Sequence, residues 1–320
     1  MTTIQPHSLT GHMGSGFTTY RIGGPLDEIY KPNSFEEACA NLQEIRSRIQ
    51  LEHHVLTILG WGGNTIIASA GIRGITLITR KMDWVENLGN NRFQFGAGVH
   101  LAKSAKVAQD TSLTGGEYMI GIPGTIGGAI RMNAGALKQE TAEIVREATI
   151  FNMETGGIET WDHERLGFHY RKSAIQPDQH IVLQAVLEFT SGDPTDIAQR
   201  MDGSVQFRKT HHPTEPNGGS VFKNPDVSEF KDPESKMSAG QLLDKLGART
   251  WEEGGVRVCP IHANFIINDR QGTSTDILRL MTRMKRAAFD AYGVCLHPEN
   301  LFIGDATEEE KDLWAELKGV

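Results

Sequence analysis

The chain has 320 residues, a formal net charge of −8 and 38% hydrophobic residues. This length predicts two or three folding units with a substantial core, and the acidic balance argues against a general nucleic-acid-binding protein. Three widely spaced cysteines (Cys39, Cys259 and Cys295), the lack of an apolar run long enough to cross a bilayer and the lack of a signal peptide at Met1 predict a cytoplasmic protein with buried, reduced thiols.

The first 80 residues predict a small α/β unit. Residues up to about Gly16 are polar and glycine-rich, so we expect a loose segment there. Ser34 and Glu37 have the spacing of a capping box, and apolar residues recur at helical intervals after them, which predicts a helix. Apolar strands are predicted at Val55–Leu59 and Gly74–Thr79.

The glycine turn Gly60–Asn64 matches the phosphate loop of a dinucleotide-binding fold only in part. Gly60 and Gly62 fit the first two glycines of that fingerprint, but Thr65 stands at the third position and no helical pattern follows. A nest of backbone N–H groups that cradles a pyrophosphate is one interpretation. A bare turn between two strands is the other.

A second glycine-rich stretch, Gly121–Ala129, follows a predicted strand at Phe93–Gly98 and a predicted helix at Leu101–Ser112. Glycine there alternates with small or apolar residues, so the segment can lie flat against a large planar ligand and offer its amides to the ligand's polar edge. Low-complexity flexibility is the alternative. The apolar residues Ile122 and Ile126 argue against it.

An arginine follows an aromatic residue in the loop between two further predicted strands, Ile144–Phe151 and Ile181–Phe189. This residue, Arg171, follows Tyr170, and a solvated surface arginine is the alternative interpretation. Beyond the second strand, Asp193-Pro194 predicts the start of a helix, because proline is favoured in the first turn.

The stretch Gly218–Pro225 places reactive groups on a backbone that glycine allows to approach a ligand. Ser220, Lys223 and Asn224 supply a hydroxyl, a cation and an amide, which suits an anionic substrate. A hairpin tip with an N-capping serine is the alternative. A metal site is disfavoured, because no zinc-type spacing connects the candidate ligands His211, His212 and His262.

The chain from about residue 202 predicts an α+β unit. Ser238 and Gln241 again have capping-box spacing. The elements predicted after them are strands at Gly255–Val258 and His262–Asn268, a helix at Thr273–Tyr292 and an acidic, helix-prone tail beyond Asp305. Glu299 lies between a proline and an apolar strand, where a carboxylate needs water or a partner.

Several of these motifs, taken in order, resemble the UDP-N-acetylenolpyruvoylglucosamine reductase (MurB) family. They are Phe17–Gly24, Gly60–Asn64, Gly121–Gly128 with Met132–Gly135, Tyr170–Ser173, Gly219–Pro225, Ala239–Leu242, His262–Phe265 and Pro298-Glu299. The resemblance covers roughly Phe17 to Gly304. The short path from Arg171 to the strand at Ile181 is similar to the shorter-chain, second type of the family.

The resemblance implies an α+β fold with a two-part FAD-binding region of the vanillyl-alcohol-oxidase (PCMH) type, residues 1–80 and 81–201. A C-terminal α+β substrate domain, residues 202–320, would follow. It also implies noncovalent FAD, NADPH as hydride donor and UDP-N-acetylglucosamine enolpyruvate as substrate, in peptidoglycan precursor synthesis, with neither nucleic acid nor membrane as partner. The implied FAD-binding residues are Gly60, Gly62, Gly63, Asn64, Gly121, Ile122, Pro123, Gly124, Thr125, Gly127, Gly128 and Ala134.

The resemblance further implies residue roles. Ser220 corresponds to the proton donor, and Arg171 and Glu299 correspond to residues that bind and polarise the substrate carboxylate. The implied substrate contacts are Tyr170, Lys223, Asn224 and His262, and no metal is implied. Trp61 and Gly63 depart from the family's Gly and Ser, which removes a hydroxyl near the FAD pyrophosphate. A flavin oxidase on the same fold and a catalytically silent UDP-sugar-binding protein are the alternatives.

Overall fold

The computed structural model describes residues 8–230 and 236–319 and divides the chain into two compact units. Unit 1 consists of the chain up to Thr10, Asp27–Trp61 and Gly74–Arg208. Unit 2 consists of Gly11–Leu26, Gly62–Arg73 and the chain from Lys209 onward. The division into three ligand-binding regions, with boundaries after residues 80 and 201, stays a prediction.

The elements have the following bounds in chain order. The helices are α1 (Phe35–Glu52), α2 (Leu101–Asp110), α3 (Ile126–Met132), α4 (His163–Leu166), α5 (Pro194–His211), α6 (Ala239–Lys245), α7 (Ser274–Tyr292) and α8 (Glu308–Lys318). The strands are β1 (Ser8–Leu9), β2 (His12–Met13), β3 (Pro25–Tyr30), β4 (Leu56–Leu59), β5 (Thr65–Ile67), β6 (Ile72–Ile78), β7 (Val85–Gly89), β8 (Arg92–Gly96), β9 (Leu113–Thr114), β10 (Gly135–Ala136), β11 (Gln139–Glu140), β12 (Val145–Asn152), β13 (Ile158–Asp162), β14 (His180–Glu188), β15 (Thr190–Ser191), β16 (Asn217–Ser220), β17 (Glu252–Glu253), β18 (Val256–Val258), β19 (Phe265–Asn268) and β20 (Leu301–Ile303).

Unit 1 is built on a five-stranded sheet with the order β13-β12-β14-β8-β7, whose neighbouring strands are all antiparallel. β14 lies at its centre, and most of its residues are buried. A second sheet contains β1, β3, β6 and β4 in that order, and β4 and β6 are parallel. Residues from both sheets and from α1, α2 and α3 form one hydrophobic core, including Leu42, Leu77, Phe95, Ile130 and Leu183.

Unit 2 contains a four-stranded antiparallel sheet with the order β16-β19-β18-β17 and a parallel pair, β20 with β5. The long helix α7 contributes much of its core, and α8 packs on α7. Tyr20 and Ile66, from the two short N-terminal segments, are buried in the same core. Unit 2 is therefore discontinuous in sequence.

The strongest helix signals of the sequence are confirmed. Ser34 caps α1 by accepting a hydrogen bond from the Glu37 N–H, and Ser238 and Gln241 form the predicted capping box of α6. The acidic tail forms α8, as predicted. The predicted strands and helices of residues 55–59, 93–112, 144–151, 181–189 and 255–292 are present with boundary shifts of one to three residues.

Two expectations for the ends of segments are wrong. Residues 8–16 are not loose, because β1 pairs with Ile29 and Tyr30 and β2 pairs with Pro25 and Leu26; the rest of that predicted loose segment, residues 1–7, lies outside the described residues. The strand predicted from His262 begins only at Phe265, because residues 262–264 form a turn.

In the described part of the chain, no helix is both long enough and apolar enough to cross a bilayer.

Candidate active site

The glycine turn at residue 60 lies beside the second glycine-rich stretch within unit 1. A Cβ atom added to Gly60 would lie 2.7 Å from the Thr125 hydroxyl oxygen, so only glycine allows this approach. Two stretches that the sequence marks separately as nucleotide-binding candidates are therefore neighbours here. The assignment of the turn as a pyrophosphate-binding nest stays a prediction.

The sequence suggested that the second glycine-rich stretch can lie flat against a ligand. This expectation is wrong for its second half, which is helical. α3 begins at Ile126, and Thr125 caps it through a hydrogen bond from the Gly128 N–H. The N–H groups of Ile126 and Gly127 donate to the carbonyl oxygens of Val99 and Ala97, at 3.0 and 2.9 Å. These contacts with the segment after β8 overcome the low helix propensity of the two glycines.

The remaining backbone of this stretch forms a cradle that suits a ligand. Within the residues that the structure describes, no hydrogen bond uses the backbone N–H of Gly124 or Thr125. A Cβ atom on Gly124 would meet only the Leu101 Cδ1 atom, at 3.6 Å, so this position borders open space. Unused amides beside open space fit the phosphate or ring-edge oxygens of FAD.

A half-buried cation adjoins the same stretch. The stem of Arg208 packs against Gly121 and leaves no room for a Cβ atom there. Partial burial lowers the pKa of Arg208 to about 10, and no ion pair with it exists among residues 8–230 and 236–319. Since a guanidinium that has lost part of its hydration favours an anion as neighbour, Arg208 fits the diphosphate of FAD.

Arg208 was not among the site residues expected from the sequence. Its importance depends on the packing of α5 against Gly121, and helical spacing does not encode that contact. The structure adds the close contact between Gly121 and the side chain of Arg208, which lies in the last turn of α5.

Trp61 is one of the two departures from the family pattern, and it contacts Arg80 through its carbonyl oxygen and its ring. The Arg80 guanidinium donates to the carbonyl oxygens of Gly60 and Trp61, at 3.1 and 2.9 Å. Its Cζ atom lies 4.6 Å from the centroid of the Trp61 ring, a cation–π contact. These contacts fix the backbone of the turn around Trp61.

Arg171 lies in a loop that is tied to the end of α3. Its φ is +54°, a left-handed conformation that is uncommon for arginine. Its Nη2 donates to the Gly135 carbonyl oxygen at 3.1 Å, and its Cζ lies 5.0 Å from the centroid of the Tyr170 ring. The half-buried Arg171 therefore differs from a freely solvated surface arginine.

The loop around Arg171 is anchored on both sides by side chains. Asn133 Nδ2 donates to the His169 carbonyl oxygen at 3.1 Å. Ser173 Oγ donates to the Arg131 carbonyl oxygen at 3.0 Å. These bonds fix the loop on α3 and hold the Arg171 backbone in its strained conformation.

Ser220 ends strand β16 in unit 2 and pairs with Phe265. The hairpin-tip alternative is therefore wrong, because the serine belongs to a sheet and caps no helix. No hydrogen bond of the Ser220 hydroxyl is found within the described residues, so its proton is not committed to the protein there. A hydroxyl of this kind can donate to a ligand.

The segment that carries Glu299 pairs with the chain just after Ser220. The Glu299 N–H donates to the Val221 carbonyl oxygen at 2.8 Å, and the Lys223 N–H donates to the His297 carbonyl oxygen at 2.9 Å. The structure thus brings the segments of Ser220, Lys223 and Glu299 together in unit 2. Arg171 and Tyr170 belong to unit 1.

The predicted substrate contacts differ in how far their side chains are already engaged. Asn224 Oδ1 accepts a hydrogen bond from the Ala239 N–H at 3.1 Å, at the start of α6. His262 Nδ1 accepts from the Asn264 N–H at 3.2 Å, and burial lowers the pKa of His262, which favours the neutral imidazole. Lys223 is half-buried, and its ammonium has no hydrogen bond or ion pair within residues 8–230 and 236–319.

Two predicted FAD contacts also have structural bonds. Asn64 Oδ1 accepts a hydrogen bond from Asn300, and Asn64 Nδ2 donates to the Glu299 carbonyl oxygen. The Ala134 carbonyl oxygen accepts from the Thr141 N–H and hydroxyl, at 2.9 and 2.8 Å. Neither residue therefore has its full polar capacity left for a cofactor.

Two family models match this chain, one in each part. A model described as an FAD binding domain matches residues 29–161, and a model described as the UDP-N-acetylenolpyruvoylglucosamine reductase C-terminal domain matches residues 211–303. The cradle and the half-buried Arg208 lie in unit 1, which contains nearly all of the first match. The protein is an FAD-dependent oxidoreductase.

Relatives along nearly the whole chain define the family. A UDP-N-acetylenolpyruvoylglucosamine reductase of Synechococcus sp. (strain WH7803) is 35% identical over 298 residues, 92% of each chain. One of Lactococcus lactis subsp. cremoris (strain MG1363) is 35% identical over 91% of this chain and 93% of its own. The crystal structure of the enzyme from Thermus caldophilus, which is 26% identical, superposes with a TM-score of 0.75 over 93% of this chain and 98% of that one. The chain belongs to the UDP-N-acetylenolpyruvoylglucosamine reductase family.

Proposed function

We propose that the protein reduces UDP-N-acetylglucosamine enolpyruvate to UDP-N-acetylmuramate with NADPH, in the cytoplasmic part of peptidoglycan precursor synthesis. The observation that carries the proposal is the pairing of the Glu299 segment with the chain that follows Ser220. This pairing lies inside the region that matches the reductase C-terminal model. Small molecules are the proposed partners, because a net charge of −8 gives no general surface for polyanions.

The proposed chemistry divides between cofactor and protein. FAD, when bound, would supply the chemistry of hydride transfer from NADPH to the methylene carbon of the enol ether. Gly124, Thr125 and Arg208 would hold the cofactor through two backbone amides and one half-buried cation. The protein's other residues bind the substrate, stabilise charge and move a proton.

Arg171 and Glu299 are proposed to stabilise the negative charge that develops when hydride adds to the alkene. The charge spreads from the adjacent carbon into the substrate carboxylate as an enolate. A fixed guanidinium lowers the energy of that state most when its position is set beforehand, and the anchored loop of Arg171 provides such a position. Glu299 assists only when it is protonated or hydrogen-bonded to the enolate.

Ser220 is proposed to complete the reduction. The carbon next to the new C–H bond carries the electron pair, and the Ser220 hydroxyl gives its proton to that carbon. The resulting serine alkoxide regains a proton from water, so the enzyme returns to its starting state. The uncommitted hydroxyl of Ser220 supports this role.

One experiment tests the proposal against both alternatives. Purified protein is examined for a bound flavin spectrum, and NADPH consumption is then measured with and without UDP-N-acetylglucosamine enolpyruvate, first without oxygen and then with oxygen. We expect bound flavin and NADPH consumption that depends on the enolpyruvyl sugar. Colourless protein that binds the sugar would support the silent binder, and flavin that turns over only with oxygen would support an oxidase.

A further inference from the structure

A buried side chain amide, that of Asn300, connects several segments of unit 2. Asn300 is 1% exposed. Its Nδ2 donates to Asn64 Oδ1 and to the Gly218 carbonyl oxygen, each at 2.8 Å. The same nitrogen reaches the Ser220 carbonyl oxygen at 3.3 Å, and Oδ1 accepts from the Tyr20 hydroxyl at 2.9 Å. Both ends of the amide are therefore engaged.

The carbonyl groups of Gly218 and Ser220, to which Asn300 donates, belong to a bulge in β16. From Asn217 to Ser220 this strand advances three residues while its partner β19 advances two, so one residue is extra. Gly219 in the bulge has a φ of +77°. A bulge interrupts the ladder and leaves backbone groups in need of other partners. Asn300 supplies that partner for Gly218 and Ser220, and it thereby fixes the backbone from which the Ser220 side chain projects.

Tyr20 determines how the Asn300 amide is oriented. The Tyr20 ring is fully buried and fills the space where Gly218 would otherwise carry a Cβ atom. Burial raises the pKa of Tyr20, so its hydroxyl stays protonated and donates. Because a hydroxyl donor must face the amide oxygen, the NH2 end of Asn300 is turned toward the bulge.

The same amide reaches the Glu299 segment through Asn64. Asn64 accepts from Asn300 through Oδ1 and donates through Nδ2 to the Glu299 carbonyl oxygen, at 2.9 Å. The Glu299 N–H is held by the Val221 carbonyl oxygen. One chain of hydrogen bonds thus runs from Tyr20 through Asn300 and Asn64 to Glu299.

We propose that Asn300 is a positioning residue for the reduction, which sets the backbone of Ser220 directly and that of Glu299 through Asn64. This inference rests on the proposed function of those two residues. A displacement of about 1 Å in a reacting group lowers rates by roughly 100-fold. Loss of the Asn300 amide therefore slows the step that uses the enolpyruvyl substrate by about 10- to 100-fold, while reduction of the bound flavin by NADPH changes little.

The test follows each half-reaction separately by rapid-mixing flavin absorbance in the FAD-loaded full-length protein. The variants are Asn300→Ala, Tyr20→Phe, Ser220→Ala and the double variant Ser220→Ala/Asn300→Ala. We expect Asn300→Ala to reoxidise slowly with substrate and to show a larger solvent deuterium isotope effect than the unchanged protein. If Asn300 acts through Ser220, the double variant is about as slow as Ser220→Ala alone.

Tyr20→Phe gives a second, milder variant if Asn300→Ala does not fold. It removes only the hydroxyl that orients the amide, and we expect the same half-reaction to slow by a few-fold. Lys285→Met is the matched control, because Lys285 is also buried and donates to the carbonyl oxygens of Glu316 and Leu317 at the end of α8. It should lower the melting temperature and leave both half-reactions unchanged.

The outcomes distinguish failure of the proposed role of Ser220 from failure of the positioning role of Asn300. Normal reoxidation in Ser220→Ala would overturn the proposed role of Ser220. Slow reoxidation in Ser220→Ala, together with normal reoxidation and a normal isotope effect in folded Asn300→Ala or in Tyr20→Phe, would overturn only the positioning role. Equal slowing of both half-reactions in Asn300→Ala would identify a general structural role instead.

Discussion

Residue identity and backbone geometry together define the candidate active site. The family resemblance assigned Arg171 to the site, but its φ of +54° and its anchoring by Asn133 and Ser173 are set by tertiary contacts. Ser220 was likewise predicted, whereas the bulge that presents it depends on pairing with β19. Asn300 was not predicted, because an asparagine beside a strand has no spacing signal and its role arises from four partners distant in sequence.

The first prediction concerns charge stabilisation by Arg171. Arg171→Ala should retain flavin and be reduced by NADPH at a rate close to that of the unchanged protein, because only the second half-reaction builds charge on the substrate carboxylate. Loss of one preorganised donor should slow that half-reaction by about 100- to 1000-fold. Rapid-mixing absorbance measures both rates. Equal slowing of both would mean that Arg171 serves both ligands or is structural.

The second prediction concerns proton donation by Ser220. Ser220→Ala should bind FAD and be reduced normally, yet reoxidise with substrate more than about 100-fold slower, the effect usually credited to one general acid. Ser220→Cys should recover part of the rate, because a thiol with a pKa of about 8.5 is a better acid of similar shape. Rapid-mixing absorbance of the flavin measures the reduction and reoxidation rates of both variants. No recovery in a folded, flavin-bound Ser220→Cys would argue against proton donation.

At the scale of elements, local signals predicted those helices and strands that local chemistry determines. The capping residues Ser34 and Ser238 mark true helix starts, because their side chains satisfy the first N–H groups. α3 was missed, because two glycines in its first turn lower its propensity and contacts with Ala97 and Val99 decide its start. β13 was missed because it alternates only weakly, with Trp161 as its buried residue.

The third prediction concerns the backbone cradle before α3. Gly124→Val should fold, because its side chain would meet only Leu101, but the valine should occupy the space that the cofactor needs. The purified variant should be colourless with a nearly normal melting temperature. Gly203→Val is the control, because Gly203 lies on α5 with nothing within 4 Å of an added Cβ. Stoichiometric flavin in Gly124→Val would remove this stretch from the site.

The fourth prediction concerns a carboxylate that joins β12, β13 and α4. Glu159 accepts from Trp161 Nε1 at 2.9 Å, from Asn152 Nδ2 at 2.8 Å and from Arg165. These donors, Trp161 first, lower the pKa of Glu159 from 4.5 to about 2. The charged form is therefore favoured in the folded state, and its contribution to stability is present above pH 4.5 and is lost as the pH falls toward 2.

The variant Glu159→Gln tests this pH dependence. It should melt at a lower temperature than the unchanged protein at pH 7, and the difference should shrink between about pH 4.5 and pH 2. Glu154→Gln alters an exposed carboxylate in the adjoining turn and should leave the melting temperature unchanged. A difference for Glu159→Gln that is constant with pH would contradict the assignment.

At the scale of the whole molecule, the sequence predicted the class of fold but not how distant segments combine. Hydrophobic periodicity reports the buried face of an element and does not report its partner. Segments 11–26 and 62–73 contribute Tyr20, Ile22 and Ile66 to the core of unit 2, although most of that unit begins at Lys209. The family resemblance implied an N-terminal FAD-binding region that includes those segments, and the FAD model itself matches residues 29–161.

The last prediction follows from this discontinuity. A fragment of residues 209–320 contains most of unit 2 but lacks β5, the parallel partner of β20. It also lacks Tyr20, whose ring fills the space beside Gly218 and whose carbonyl oxygen accepts from Asn268 Nδ2 at 2.9 Å. The fragment would therefore have a cavity in place of a large aromatic side chain, which costs about 3–5 kcal/mol, and buried amides without partners, which cost about 1–3 kcal/mol each.

These losses are comparable to the roughly 5–15 kcal/mol by which a domain is stable. We expect the fragment 209–320 to lack dispersed amide resonances and a cooperative urea transition, since its core is incomplete. Co-expression with a peptide of residues 11–73, which carries both missing segments, should restore dispersion in part, whereas the same peptide with Tyr20→Ala should restore less. A cooperative transition in the fragment alone would show that segments 11–26 and 62–73 are dispensable for folding this unit.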